Sequence, residues 1–477
     1  MFVGAALATY AVFVGAHFSS GFGGADVSGY INSARLLSRL RLTTPMIVAP
    51  EIETKLWHYC PLGFTPREET RTMAPIYPLG LPLQLAIVGT LGGWHWGPLA
   101  LYVAGTCLTV VCCYGSSREL GVDPVWALGA AGMLAISPML LWSSEHMMSD
   151  GPATTWNAIS FYAALRGRRS RIAAGWCGVA LAMSVMVRPT NVMILPALAV
   201  VLWERKKLIA ACVGGLPLAA LLAAYNTLLW RKPWRTGYAN HHELFEWSSF
   251  GPTVEYYVHW IPHLLPIAVV GVACIAFLDW RRGRRELTGL ILWAGAFIGL
   301  YAFYPFTRLD WWWSRFVLPA YPALAVLGAL GLQRLAATTD RWGRPLVAAV
   351  VGEVLVLASI GLSVRDWRVL DVYGASRQNE IYQAATHWFL ENTPENSVVA
   401  TLHLSGSLTH YGRLIVRWDM LTPEDWDPIV AAARRSGRPI YFCDWSDRVD
   451  EAMRRTPGAW KKLTQFEHLG VWRLALE

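Results

Sequence analysis

Charged residues are scarce in this chain. Asp, Glu, Lys and Arg make up 16% of its 477 residues, whereas apolar residues make up 54% and the mean hydropathy is +0.33. Soluble domains usually contain about 25% charged residues, so there is too little polar material to cover several soluble domains. The composition therefore indicates a polytopic membrane protein.

Several chemical signatures are also missing. The eight cysteines follow no metal-ligand spacing, and six of them lie in apolar stretches, where a free thiol acts as a small hydrophobe. Only Cys60 and Cys443, both on the predicted outer side, are left as a pair that could form a disulfide. There is no Gly-rich phosphate loop, low-complexity tract or short-period repeat. Basic residues are not gathered in one patch with interleaved aromatics, so the net charge of +8 does not indicate nucleic-acid binding.

Long apolar runs dominate the first 364 residues. Many approach the length of about 17 to 25 residues that crosses a bilayer. They occur at residues 1–18, 98–116, 124–142, 151–166, 172–187, 190–203, 208–229, 263–279, 287–306, 316–333 and 345–364. We therefore predict about 11 membrane spans.

Basic residues occur in every second connection between these runs. They are found at Arg118 and within 166–171, 205–207, 281–285 and 334–344. Because Lys and Arg are retained on the cytoplasmic side, the other loops are predicted to be exterior, including residues 19–97 and everything after about 365. This places Asp26 outside. This alternation of cytoplasmic and exterior loops holds only if the apolar stretch Tyr77–Gly93 does not cross the membrane. We therefore interpret it as a helix that lies at or dips into the outer surface.

The first exterior loop has two distinct parts. Residues Val27–Leu40 show apolar residues at helical spacing, with Arg35 and Arg39 on the other side, which favours an amphipathic helix lying on the surface. Residues Pro45–Pro75 mix Pro, Glu, Thr and Arg, and this composition predicts an irregular loop.

The composition changes at about Arg365 to that of a soluble domain, in which short strands alternate with amphipathic helices. Helices are predicted near 376–391, 405–411, 423–435 and 447–455, and strands near 397–402, 413–417, 438–443, 462–466 and 470–475. The predicted fold class is mainly α. It combines a polytopic transmembrane helical bundle over 1–364, with surface-lying helices in the first outer loop, and a small exterior α/β domain over 365–477.

Two acidic residues stand at the predicted exterior ends of helices. Asp26 precedes the helix that starts near Val27, and Asp150 precedes the span that starts at Pro152. Either side chain suits the N-cap of its helix, where Asp is favoured. A carboxylate at the water-facing mouth of an apolar bundle also suits removal of a proton from a bound substrate. Because both face one mouth, the pattern favours the chemical role for Asp26.

A divalent metal ion is an alternative at this mouth. Glu145, His146 and Asp150 lie within six residues and carry oxygen and nitrogen ligands. Three mixed ligands at this spacing match no metal motif, so no cofactor is expected.

Arginines occur in the predicted exterior loops, where the distribution of basic residues disfavours them. They are Arg188, Arg231, Arg235, Arg308 and Arg315. Any one of them is explained by a headgroup phosphate or a neighbouring acid. Several that converge on one mouth suit an anionic leaving group, because guanidinium binds phosphate bidentately and offsets the charge that develops as a bond breaks. Tryptophans such as Trp311 to Trp313 fit an aromatic belt, and one or two of them suit stacking on a sugar.

The ordered set of motifs resembles the GT-C superfamily of integral-membrane glycosyltransferases, in particular its protein-mannosyltransferase-like and aminoarabinose-transferase-like bacterial branch. The resemblance covers about residues 1–335. The motifs are Asp26-x3-Tyr30-x3-Ala34, Tyr77-Pro-Leu-Gly-Leu-Pro82, Ser137-Pro138 leading to Ser149-Asp150, Arg188-Pro189-Thr190, Tyr225-Asn226 leading to Arg235-Thr-Gly-Tyr238, and Arg315-Phe-Val-Leu-Pro319-x2-Pro322.

The resemblance implies transfer of a hexose or pentose from a polyprenyl-phosphate donor to an acceptor hydroxyl or amine on the exterior face of a bacterial inner or plasma membrane, with inversion at the anomeric carbon. Asp26 matches the family's catalytic carboxylate and would take the acceptor proton. The other candidates, expected to bind the donor phosphate or substrate, are Tyr30, Tyr77, Asp150, Arg188, Arg235, Tyr238, Arg308 and Arg315. Many relatives have Asp-Glu where this chain has Asp26-Val27, which disfavours a metal-dependent form.

A transporter or flippase for lipid-linked sugars, without catalytic activity, is the competing interpretation, because it also has many spans and basic cytoplasmic loops. It predicts ionisable residues near mid-membrane and repeated halves. The sequence has few such charges, Glu353 being the clearest, and no obvious repeat. The pattern favours the enzyme.

Overall fold

The computed structural model describes residues 2–238, 244–278, 280–341 and 345–475, and most of these residues are helical. Each of the predicted apolar runs overlaps one or two helices. In chain order the helices up to residue 369 are α1 (Phe2–Ala16), α2 (Asp26–Ser38), α3 (Gly80–Gly92), α4 (Trp96–Glu119), α5 (Pro124–Ala135), α6 (Pro138–Ser144), α7 (Asp150–Gly167), α8 (Arg171–Val187), α9 (Leu195–Leu202), α10 (Arg205–Trp230), α11 (Phe250–Leu264), α12 (Ile267–Cys274), α13 (Trp280–Tyr301), α14 (Tyr321–Arg341) and α15 (Pro345–Val369).

Three helical stretches in the described ranges are long and apolar enough to cross a membrane: Trp96–Glu119, Arg205–Trp230 and Trp311–Arg341. Two bent pairs of helices raise this number to five if each pair forms one span. The bends measure 56° between α5 and α6, and 117° at the break that follows α11. The other helices do not pass this test of length and composition within the described ranges, so the predicted total of about 11 spans stays a prediction.

The helix α3 lies in the stretch predicted not to cross the membrane. Its 13 residues rise about 20 Å, which is less than the roughly 30 Å of hydrocarbon in a bilayer. Its length therefore agrees with the predicted surface position.

The irregular loop predicted over Pro45–Pro75 is wrong. Three short strands, β1 (Thr44–Pro45), β2 (Phe64–Arg67) and β3 (Thr72–Pro75), form an antiparallel sheet in the order β1-β3-β2. Strands of two to four residues that contain proline are too short to show an alternating pattern. Their pairing therefore has no signal in the sequence.

The C-terminal region confirms every predicted helix and strand to within a few residues. Its helices are α16 (Gly374–Asn392), α17 (Ser405–His410), α18 (Pro423–Arg435) and α19 (Val449–Arg455), and its strands are β4 (Val398–Thr401), β5 (Leu414–Val416), β6 (Ile440–Trp445), β7 (Trp460–Phe466) and β8 (Leu469–Leu474). The sheet order is β5-β4-β6-β8-β7, with β4 parallel to β5 and β6, and β8 antiparallel to β6 and β7. The predicted division at 364/365 falls inside α15, which continues to Val369.

The segment between α2 and α3 packs directly against this C-terminal domain. Met46, Tyr59 and Phe64 share one apolar cluster with Trp418 and Phe442 of the domain. One face of the C-terminal sheet is therefore covered by a segment from the other end of the chain. The disulfide left open by the sequence does not form, because Cys60 and Cys443 are free, buried thiols that belong to separate apolar clusters.

Helix α2 is enclosed between α3 and the C-terminal domain, so it does not simply lie on a surface. Its residues 27–34 are all buried. The Asn32 amide donates to the carbonyl oxygen of Gly406 at 2.9 Å, and its oxygen lies 2.7 Å from Nδ1 of His410. Both partners belong to α17, which packs across the outer side of α2.

Gly406→Ala is expected to weaken this docking. A Cβ atom at residue 406 would lie 2.1 Å from Oγ and 2.6 Å from Cβ of Ser28, so one helix has to move. Overpacking of this kind costs about 1–3 kcal/mol. We expect a lower midpoint of thermal unfolding and faster proteolysis after Val369. Gly251→Ala is the matched control, because a Cβ there meets nothing within 4 Å; equal effects of the two changes would contradict the docking role.

Candidate active site

Asp26 is the first residue of α2, and its carboxylate is contacted from two sides. Oδ1 accepts a hydrogen bond of 2.7 Å from the Tyr77 hydroxyl, and Oδ2 lies 3.7 Å from Nη2 of Arg315. The side chain remains 37% exposed, so a bound molecule can reach it. The capping role considered for Asp26 is wrong: the N-cap position is Ala25, and no side-chain cap bond is present there.

Tyr77 can reach Asp26 because Gly29 has no side chain. A Cβ atom at residue 29 would lie 2.2 Å from the Tyr77 ring. The next aromatic neighbours are Tyr30, whose ring centroid is 4.4 Å from that of Tyr77, and Tyr238, at 6.0 Å. Burial raises the pKa of all three tyrosines, so their hydroxyl groups stay protonated and act as hydrogen-bond donors near the carboxylate.

Asp150 and Arg188 form a buried ion pair. Asp150, the first residue of α7, is 1% exposed, and Nη1 of Arg188 donates to its Oδ1. Arg188 is the C-cap residue that follows α8, and its guanidinium also lies over the Phe316 ring at 5.3 Å. The N-cap role considered for Asp150 is wrong, because Ser149 holds that position. The carboxylate instead compensates the charge of the arginine.

Arg315 is held in an aromatic surround. Its guanidinium carbon lies 5.1 Å from the ring centroids of Trp312, Trp313 and Phe316 and 5.8 Å from that of Trp142. The side chain is 11% exposed, and its Nε is buried without a hydrogen-bond partner within the described ranges. This cation is less fully compensated than Arg188, and it lies beside Asp26.

One predicted site residue whose side chain is described is not brought into this group. Arg235 is exposed in the turn after α10, away from the residues that surround Asp26. The side chain of Arg308 lies outside the described part of the structure. The backbone of Arg308 ends a short 3-10 segment, Pro305–Arg308.

A cavity of about 780 Å³ lies between the helical bundle and the C-terminal domain. On the bundle side it is lined by Asp26, Trp142, His146, Trp311, Trp312, Trp313 and Arg315. On the other side it is lined by residues of α16 together with His403, Trp445 and Glu467. No pattern in the sequence points to these C-terminal residues as part of the site, since they come from separate elements that only the fold brings together.

Glu145, His146 and Asp150 do not assemble the metal site considered above. Burial raises the pKa of Glu145 well above its usual range, which disfavours the ionised carboxylate that a divalent ion binds. Oε2 of Glu145 accepts a 3.3 Å hydrogen bond from the Ser376 backbone, and Asp150 is paired with Arg188. No group of three metal-ligating side chains occurs in the described ranges. These residues do not fit a divalent ion.

No protein-family model and no curated protein matches the sequence, but solved structures do. ArnT from Cupriavidus metallidurans, bound to undecaprenyl phosphate, matches over 98% of this chain and 97% of its own, with a TM-score of 0.60 and 11% identity. The oligosaccharyltransferase AglB from Archaeoglobus fulgidus, with an inhibitory peptide and a dolichol-phosphate, matches over 98% and 74%, with a TM-score of 0.56 and 12% identity. The arabinofuranosyltransferase AftD from Mycobacteria matches over 99% and 40%, with a TM-score of 0.54 and 14% identity.

The fold of this chain is therefore that of the GT-C superfamily of membrane glycosyltransferases. This confirms the fold implied by the sequence motifs. The likeness also extends beyond residue 335, where the motifs end, because the matches cover nearly the whole chain.

Asp150→Ala is expected to destabilise the bundle. The change leaves the Arg188 guanidinium buried without its carboxylate, and breaking one partner of a buried pair costs about 3–5 kcal/mol. The midpoint of thermal unfolding in detergent should fall clearly, and the double variant Asp150→Ala/Arg188→Leu should recover part of the loss. As a control, Glu69→Ala removes an exposed pair with Arg231 and should change little. Similar shifts for both single changes would show that burial does not matter here.

Proposed function

We propose that this protein is an inverting glycosyltransferase that moves a sugar from a polyprenyl-phosphate donor to an acceptor hydroxyl or amine on the exterior face of the membrane. The observation that carries the proposal is the accessible Asp26 carboxylate beside Arg315 in the wall of the cavity. The donor class is supported by two structures with the same fold, ArnT bound to undecaprenyl phosphate and AglB in complex with a dolichol-phosphate.

Asp26 is the general base in this proposal. Its carboxylate accepts the proton of the acceptor hydroxyl or amine as that group attacks the anomeric carbon of the donor sugar. The bond between the anomeric carbon and the phosphate oxygen breaks, and its electron pair leaves with the phosphate. One displacement inverts the anomeric carbon. The hydrogen bond from Tyr77 to Oδ1 orients the carboxylate and leaves Oδ2 for the acceptor.

Arg315 is the residue best placed to stabilise the leaving phosphate. It is cationic, nearly buried and surrounded by aromatic rings, so its charge acts in a medium of low polarity. Arg188 is less available, because its charge is compensated by Asp150. Arginine also suits this role through its bidentate hydrogen-bonding geometry toward phosphate.

The Asp26 and Arg315 side chains must separate when the donor binds. They lie 3.7 Å apart, which leaves no room for a sugar ring between a base and a leaving group on opposite faces of the anomeric carbon. A donor phosphate that binds Arg315 competes with Asp26 for the guanidinium. Donor binding thus releases the carboxylate for the acceptor.

Asp26→Asn is expected to lower transfer at least 100-fold, the lower end of the usual contribution of a general base of about 10²–10⁴. The assay measures transfer of labelled sugar in membranes from a panel of polyprenyl-phosphate hexoses and pentoses. Asp427→Asn, an exposed carboxylate on α18, is the matched control and should keep full activity. Undiminished transfer by Asp26→Asn removes Asp26 as the base. If the native protein transfers sugar from none of these donors, the result supports the transporter interpretation instead.

The exterior position of the cavity and the C-terminal domain is testable by cysteine labelling. Arg434→Cys places a thiol at an exposed position of α18. Arg171→Cys places one at the exposed start of α8, beside a loop whose basic residues predict a cytoplasmic position. A membrane-impermeant maleimide should label the first variant in intact cells and the second only after permeabilisation. The opposite pattern would place the proposed site on the cytoplasmic side.

A further inference from the structure

The C-terminal wall of the cavity contains a hydrogen-bonded group that the proposed reaction does not use. Asp444, at 0% exposure on β6, has Oδ1 2.6 Å from Nδ1 of His403. Its carboxylate also accepts hydrogen bonds from the backbone N–H of Leu402 at 3.0 Å, the Trp418 indole at 2.7 Å and the backbone N–H of Trp445 at 2.9 Å. The carboxylate is thus fixed from several directions.

These contacts determine how the His403 ring is oriented. An ionised carboxylate only accepts hydrogen bonds, so Nδ1 of His403 carries the proton that faces Asp444. In the neutral ring, Nε2 is then a hydrogen-bond acceptor. The His403 side chain is 26% exposed and lines the cavity. A ligand in the cavity therefore meets Nε2, which accepts a hydrogen bond when the ring is neutral.

The position of His403 relative to Asp26 is also fixed. The backbone N–H of Gly24 donates to the carbonyl oxygen of His403 at 2.8 Å, two residues before Asp26 in the chain. Helix α17 follows directly and packs on α2 through the contacts of Asn32. Asp26 and His403 therefore belong to one connected unit that lines the cavity.

Aromatic rings accompany polar groups on both walls. The Tyr382 ring lies nearly parallel to that of His403, at 14°, and its hydroxyl accepts a 2.8 Å hydrogen bond from the Trp445 indole. On the bundle side, Trp312 and Trp313 are stacked with centroids 4.4 Å apart. Rigid aromatic faces with a few directed polar groups suit sugar rings, which offer apolar C–H faces and hydroxyl groups at their edges.

We infer that the C-terminal wall is the acceptor subsite and that the acceptor is a carbohydrate. One hydroxyl of this acceptor donates a hydrogen bond to Nε2 of His403, while another is presented to Asp26. His403 is then a binding and specificity residue, and Asp444 positions it. The acceptor role in this inference rests on the proposed function, whereas binding of a saccharide at His403 does not depend on it.

The test measures binding without any donor. Full-length native protein in lipid nanodiscs is exposed to immobilised defined oligosaccharides and to peptides of similar size. We expect saccharides to bind and peptides not to bind. His403→Ala should weaken saccharide binding about tenfold, the effect of losing one hydrogen bond, whereas His403→Gln, whose amide oxygen is again an acceptor, should retain most of it. Binding of peptides alone, or unchanged saccharide affinity in His403→Ala, overturns the inference.

Two controls separate binding from folding. His387→Ala changes an exposed histidine on α16 outside the cavity lining and should leave affinity unchanged. His403→Phe keeps an aromatic ring but removes the acceptor nitrogen, so it should bind as weakly as His403→Ala and replaces that variant if the alanine protein does not fold. Native-like affinity of a folded His403→Phe protein overturns the role of Nε2.

Failure of the inference and failure of the proposed function give different results. Asp26→Asn should lose transfer but keep saccharide binding. If native protein transfers no sugar while His403-dependent saccharide binding persists, the proposed function fails and the subsite stands. If transfer occurs, His403→Ala should raise the KM for a saccharide acceptor about tenfold and change kcat less than about twofold; transfer to peptides, or an unchanged KM, overturns the subsite alone.

Discussion

The close packing of α2 on both sides is the constraint on which the rest of the site depends. On one side Gly29 allows the Tyr77 ring to approach, and on the other Gly406 allows α17 to approach Ser28. A single added methyl group at either glycine would fall within 2.2 Å of its neighbour. Since Asp26 is the first residue of this helix, the same packing sets the height and direction of its carboxylate.

Arg188 and Arg315 look equivalent in the sequence but differ in how fully a neighbouring carboxylate balances their charge. Arg188, 16% exposed, is paired with the buried carboxylate of Asp150, so its positive charge is balanced within the protein. Arg315 lies beside a carboxylate that is still 37% exposed and keeps a buried Nε without a partner in the described structure. A bound anion is attracted more strongly by Arg315 than by Arg188, because the charge of Arg188 is already offset by a paired carboxylate.

The cavity exists because the two ends of the chain meet. The segment between α2 and α3 packs against one face of the C-terminal sheet through residues such as Met46 and Phe64. His403 and Trp445 of the C-terminal domain line the cavity together with Asp26. The C-terminal domain is thus part of the wall of the cavity. A reaction at Asp26 would take place in a space whose shape depends on the whole chain.

The helices and the C-terminal alternation of helices and strands follow from hydrophobic periodicity, and Asp26 and Arg315 from charge placement, because both are local properties of the sequence. Tyr77 was indicated by the motif resemblance alone. Which of these candidates meet depends on the folded chain. The fold joins Asp26 to Tyr77 and Arg315, leaves Arg235 apart, and adds His403. The reason is separation along the chain: the contact of α2 with α17 joins residues 378 positions apart, and no local pattern encodes such a pairing.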